Sequence, residues 1–110
     1  MQRIELESTN YLVTIVYGYT SSYICYGCAT MEEVYSAVNN EIHWLAEGAI
    51  ESERYDDFDA EEQALVQMIL DGAVFSNPVI IKKCFDTLYD DIFGMHYWVN
   101  DSYGNVVFKG

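Results

Sequence analysis

From Tyr11 to Cys28 apolar residues recur close to every second position; from Met31 onward they recur at three and four. The first spacing predicts strands and the second predicts helices. Residues 2–7 (QRIELE) alternate polar and apolar and read as a short strand, with the turn signal Ser8-Thr9-Asn10 after it. Tyr11–Tyr19 (YLVTIVYGY) is rich in β-branched and aromatic residues and predicts a strand; Thr20-Ser21 interrupts it, and Ser22–Ala29 predicts another. A hairpin with an even-numbered loop puts Val13, Ile15 and Tyr17 on one face with Ile24, Tyr26 and Cys28, the expected core side. The opposite face carries Leu12, Thr14, Val16, Tyr23 and Cys25. It is not very polar either, and fits a covering element or a partner.

Three helices follow. Thr30-Met31-Glu32-Glu33 fits a capping box, the stripe Met31, Val34, Tyr35, Val38, Ile42 and Leu45 has helical spacing, and Gly48 is a plausible stop. Asp59-Ala60-Glu61-Glu62 opens a second helix, with Ala64, Leu65, Met68 and Ile69 inward and Gly72 after it. A third starts at Ser76-Asn77-Pro78, with the stripe Ile81, Cys84, Phe85, Leu88 and Ile92 and Gly94 as its close. MHYWVN, an Asp-Ser-Tyr-Gly turn and NVVFK read as a terminal hairpin. The expectation is an α+β fold: N-terminal antiparallel strands, three central helices and a C-terminal β-hairpin, in a single domain over residues 1–110. Strands and helices do not alternate, which argues against a doubly wound parallel sheet.

Charge narrows the function. Five Lys+Arg against 18 Asp+Glu give a net charge of −13, yet 51% of residues are hydrophobic and 15% aromatic, so this is a folded protein and not a disordered acidic tail. Such a surface does not grip nucleic-acid phosphates or anionic membranes. No apolar run approaches the roughly 18 residues of a spanning helix, and MQRIELE has no apolar core after its Arg, so it does not read as a signal peptide. Three cysteines cannot all pair within one chain, which fits a soluble cytoplasmic protein.

Candidate chemistry is sparse. Cys25-Tyr26-Gly27-Cys28 has the C-x-x-C spacing of a thiol–disulfide centre or half a zinc site, but only Cys84, His43 and His96 remain to complete four ligands. In an extended strand Cys25 and Cys28 point to opposite faces, which defeats either role unless Gly27 breaks the strand. Asp57-x-Asp59-x-Glu61 opens like a calcium loop, but Glu62 and Met68 occupy the positions that need Gly and Glu. Neither histidine has a nucleophile at a known motif spacing. No cofactor, metal or catalytic residue is expected.

The acids themselves are more informative. Glu47, Glu51, Glu53, Asp56, Asp57, Asp59, Glu61 and Glu62 crowd into sixteen residues, offset only by Arg54. Tyr55 and Phe58 are interleaved among them, which a purely solubilising linker does not need. Helix C-termini favour cations, but the expected last turns carry Glu47, Asp71, Asp90 and Asp91, while Lys82 and Lys83 lie in the first turns of the third helix. Asp86 and Asp90, at i and i+4, would stand about 5–6 Å apart at the base and help to approximate a phosphate track.

In composition over the whole chain, the protein resembles the phage-encoded nucleic-acid mimics, the anti-CRISPR and anti-restriction inhibitors. The resemblance implies binding to a basic nucleic-acid-binding protein, such as a CRISPR effector, restriction enzyme or nuclease. Glu47, Glu51, Glu53, Tyr55, Asp56, Asp57, Phe58, Asp59, Glu61, Glu62, Asp86, Asp90 and Asp91 would form the contact, in the host cytoplasm, and a dimer is compatible with it. An immunity protein against a basic nuclease, an adaptor domain acidic only for solubility, and a thiol-redox protein using Cys25 and Cys28 are the alternatives.

Overall fold

The computed structural model describes residues 10–18, 22–89 and 95–110. The predicted strand at 2–7, Ile92, Gly94 and the candidate site residues Asp90 and Asp91 lie outside them. Strands β1 (Tyr11–Tyr17) and β2 (Ser22–Cys28) pair antiparallel in the register Val13↔Tyr26 and Ile15↔Ile24, closing at Tyr17↔Ser22. Four residues separate those ends, so the loop is even and the expected face-sharing holds. The C-terminal hairpin, β3 (Met95–Asp101) and β4 (Val106–Lys109), joins the other side of β1 through Ile15↔Tyr97 and Val13↔Val99. The antiparallel order is β2-β1-β3-β4.

Helices α1 (Met31–Glu51), α2 (Ala60–Leu70) and α3 (Pro78–Leu88), with a 3-10 turn at Arg54–Asp57, fill the middle of the chain. The α+β layout is as expected. Val13, Ile15, Tyr97 and Val99 of the sheet are buried with Val34, Val38 and Ile42 of α1 and Ile81, Phe85 and Leu88 of α3 in one core. Phe85 and Tyr97 meet with ring centroids 4.7 Å apart.

Capping fixes the helix starts. Thr30 accepts the Glu33 N–H at 3.1 Å, and the Glu33 carboxylate accepts the Ala29 N–H at 2.7 Å. Asp59 and Glu62 form a full capping box on α2, and Asn77 accepts the Val79 N–H ahead of α3, with Pro78 at its first position.

Three expectations need correction. Helix α1 does not stop at Gly48 but runs to Glu51, because Ala46 and Ala49 continue the buried stripe and outweigh the roughly 1 kcal/mol cost of an exposed glycine. In α2 the buried residues are Val66 and Ile69; Ala64 is exposed and Met68 is 52% exposed, because this helix packs its other side on α1. Helix α3 ends at Leu88, not near Gly94: Tyr89 leaves helical geometry and the Leu88 carbonyl accepts from Arg54.

Among the described residues no helix packs on the second face of the sheet. Register places Tyr23 and Cys25 of β2, Leu12, Thr14 and Val16 of β1, His96, Trp98 and Asn100 of β3, and Val106 and Lys109 of β4 on it. Among the described residues no helix is long and apolar enough to cross a membrane.

Candidate functional site

The acidic segment wraps one end of the helical layer, from the last turns of α1 through the 3-10 turn into α2. Its rings face inward. Tyr55 and Phe58 are half-buried against the core, in an edge contact with centroids 6.4 Å apart. Gln63 donates to the Tyr55 carbonyl at 3.0 Å, and Gln67 to the Tyr55 hydroxyl at 3.2 Å. Those contacts pin a connection that −7 of local charge would otherwise push open. Glu53 enters the 3-10 turn at φ 64°, a left-handed conformation unfavourable for a side chain of this type.

The acids divide into engaged and free. Asp59 and Glu62 cap α2, Glu61 pairs with Lys83 of α3 at 3.0 Å, and Glu47 bonds to His43 at 3.2 Å. The bond and charge of Glu61 hold the Lys83 ammonium above its ordinary pKa. Asp86 pairs with Lys82 at 3.0 Å within α3. Glu51, Glu53, Asp56 and Asp57 are exposed, and no cation among the described residues lies within ion-pair distance of them. Four of the thirteen candidate contact residues are therefore exposed and without an ion-pair partner among the described residues.

Arg54, the cation of the segment, turns away from its neighbours. Its guanidinium donates to the Leu88 carbonyl at the end of α3. This cation satisfies a terminal carbonyl and complements the helix dipole, so the expected reversal of helix-end charge is corrected for α3. It persists at α1 and α2, whose last turns carry no base. Tyr89, against the Tyr17 ring at 5.2 Å, leaves helical geometry with φ −113° and ψ 87°. Asp90, the expected helical partner of Asp86, lies outside the described residues.

No protein-family model matches the chain, and no curated protein or solved structure matches it.

One buried group escaped sequence reasoning. Glu41, 6% exposed, lies on the inner face of α1, where the Tyr17 and Tyr26 hydroxyls donate to its two carboxylate oxygens, the latter at 3.0 Å. Burial, then the bond to Glu41, pushes both phenols above their ordinary pKa. A signal was there: Glu41 sits three residues after Val38 and four before Leu45, on the core stripe itself. Asn39 is also buried, exchanging bonds of 2.7–2.8 Å with the Phe75 backbone. That clamp holds the α2–α3 connection beside a shallow groove of about 530 Å³ lined by Glu32, Tyr35, Ser36, Val74 and Ser76.

The thiols are kept apart. β2 runs unbroken through Gly27, with Cys25 exposed opposite Thr14 and Cys28 buried opposite Tyr11. Strand residues three apart are separated by about 10 Å, beyond the roughly 7 Å limit for a disulfide. Burial, aided by Glu33, raises the Cys28 thiol, and burial pushes Cys84 up to about 11, which suppresses thiolate chemistry. Among the described residues, no three His, Cys, Asp or Glu side chains are grouped to hold a metal ion.

Proposed function

We propose that the protein is a small inhibitor that occupies the cationic, nucleic-acid-binding cleft of a partner protein, as phage anti-CRISPR and anti-restriction proteins do, acting in the host cytoplasm. The observation that carries this reading is the unpaired group Glu51, Glu53, Asp56 and Asp57 on a segment anchored by Tyr55 and Phe58. Anchoring matters because carboxylates already held in place lose little further freedom when they meet Lys and Arg. The local Arg is engaged elsewhere, so the group keeps its negative field for a partner. Fields of this kind act mainly on association rate and discriminate against other anionic surfaces.

The test uses a Glu53→Asn/Asp56→Asn/Asp57→Asn variant. Asn is better tolerated than Glu in the left-handed region, and Asp59 is kept because it caps α2. Binding to a purified CRISPR effector, restriction endonuclease and secreted nuclease is measured with and without a DNA competitor, over about 50 to 200 mM salt. The expected result is binding to one of the three, displaced by DNA and weakened by salt, with more than about a tenfold loss in the variant, chiefly through slower association. A variant that binds as tightly as the native chain, or binding indifferent to DNA, overturns the reading. Binding to the nuclease alone favours the immunity-protein form of the same mechanism.

A further inference from the structure

Helix α1 turns one stripe to solvent in its second half: Trp44, Glu47, Gly48 and Glu51 stand at i, i+3, i+4 and i+7, and all four are exposed. Trp44 is 63% exposed, although tryptophan is among the side chains with most apolar area to bury. Gly48 is equally out of place. Glycine is a poor helix former, yet neither backbone conformation nor packing demands it here: its φ is not positive, and a Cβ at this position would have nothing within 4 Å. Because helical side chains lean towards the N-terminus, a longer residue at 48 would lie against Trp44, one turn before it. Glycine keeps that side of the indole open, with the acids Glu47 and Glu51 on the same stripe. We infer that Trp44, Glu47, Gly48 and Glu51 form a seat for an arginine side chain of the protein's partner.

Chemistry selects the occupant. An aromatic face attracts cations through its quadrupole, and a flat guanidinium stacks on it while its N–H fork reaches a carboxylate. Lysine offers a compact, strongly hydrated charge with no flat face to stack. An anion, or a second chain of charge −13, meets the field of this stripe with the wrong sign. Glu51 has no ion-pair partner among the described residues, and Glu47 meets the His43 imidazole at 3.2 Å, a contact exposed to solvent and open to exchange for a guanidinium. The seat adjoins the acidic contact at Glu51 and rests on the proposed reading for the kind of partner. It adds what charge alone lacks, a preference for arginine over lysine. Tryptophan and arginine are also enriched among the residues that dominate binding energy at protein interfaces.

Nuclear magnetic resonance of the nitrogen-labelled full chain tests this through its two indole N–H signals, with Trp44→Phe assigning them. The probes are hexa-arginine and hexa-lysine. The Trp44 signal is expected to shift and to saturate at about three- to tenfold lower concentration of hexa-arginine than of hexa-lysine, with the Trp98 signal unmoved. Gly48→Gln should raise the melting temperature, since glutamine is the better helix former, and yet abolish the preference. A glycine without a binding role would give the first effect and not the second. The Glu53→Asn/Asp56→Asn/Asp57→Asn variant should keep the preference, because all four seat residues are intact. Selective capture of hexa-arginine by a chain that binds no CRISPR effector, restriction endonuclease or nuclease supports the seat and overturns the proposed function alone. An equal response to the two peptides, an unmoved Trp44 signal, or a preference that survives Gly48→Gln overturns the inference. So does a partner protein that Trp44→Ala binds as tightly as the native chain.

Discussion

Tyr17→Phe removes a single oxygen from the contact between α1 and the sheet, and the consequence can be worked out. The lost bond is one of two that Glu41 receives, the other coming from Tyr26 at 3.0 Å. Both Tyr17 and Glu41 are buried, so water has little room to replace the missing donor. A hydrogen bond to a charged group contributes about 1.5–3 kcal/mol, and the expected loss is about 2 kcal/mol. Unfolding entropy near 2.1 cal/mol/K per residue amounts to about 0.23 kcal/mol/K for 110 residues, so the melting temperature should fall by about 9 °C. Tyr26→Phe should cost less, because that hydroxyl is only partly buried and solvent can stand in for it. Urea denaturation of Tyr17→Phe, Glu41→Gln and the double variant gives the coupling between the two groups, expected near 1–2 kcal/mol. A melting temperature unchanged in Tyr17→Phe, or a coupling below about 0.5 kcal/mol, would refute the idea that the carboxylate is held by this phenol.

Alkaline pH should unfold the protein through its tyrosines. Burial pushes Tyr97 up to about 12 from an ordinary 10.0 and raises Tyr17 and Tyr26 as well. A folded pKa above the unfolded one means stability is intact below pH 10 and falls as pH climbs from 10 towards the folded value. Urea midpoints that stay level across that window would contradict the assignment. Among the described residues the Tyr97 hydroxyl has no hydrogen-bond partner, so Tyr97→Phe should cost nothing at neutral pH and lessen the alkaline loss. Arg54→Gln should destabilise by about 1–2 kcal/mol by uncapping α3, and Arg54→Lys should recover part of that. Equal losses in the two variants would show that charge at the helix end is not what matters.

Several elements were legible because their determinants are neighbours in sequence. The Asp59–Glu62 box, Asn77-Pro78 and the β3–β4 turn all formed where local chemistry placed them. Two-residue periodicity likewise put Cys25 and Cys28 on opposite faces once the strand proved continuous. Less legible were features that depend on a distant group. The end of α3 looked like Gly94 because glycine is the usual local stop, but Arg54, far earlier in the chain, meets the Leu88 carbonyl. Asp59 and Glu61 looked equivalent to Asp56 and Asp57 as acids in a run; capping and Lys83 engage the first two and leave the others free.

Alternation, capping and composition thus determined from sequence the element types, the core face of the first hairpin and the anionic character of the whole. These follow from each residue's own preferences and those of neighbours within a turn or strand. The tertiary structure alone decided that β3 enters beside β1, giving the order β2-β1-β3-β4, and that Glu41 meets two phenols across the α1–sheet contact. It also decided that, among the described residues, no acid stands on the outer face of the sheet. Contacts between residues remote in the chain are fixed by how faces pack, and a charge becomes a capping group, a buried acceptor or a free carboxylate only when packing has chosen its neighbours.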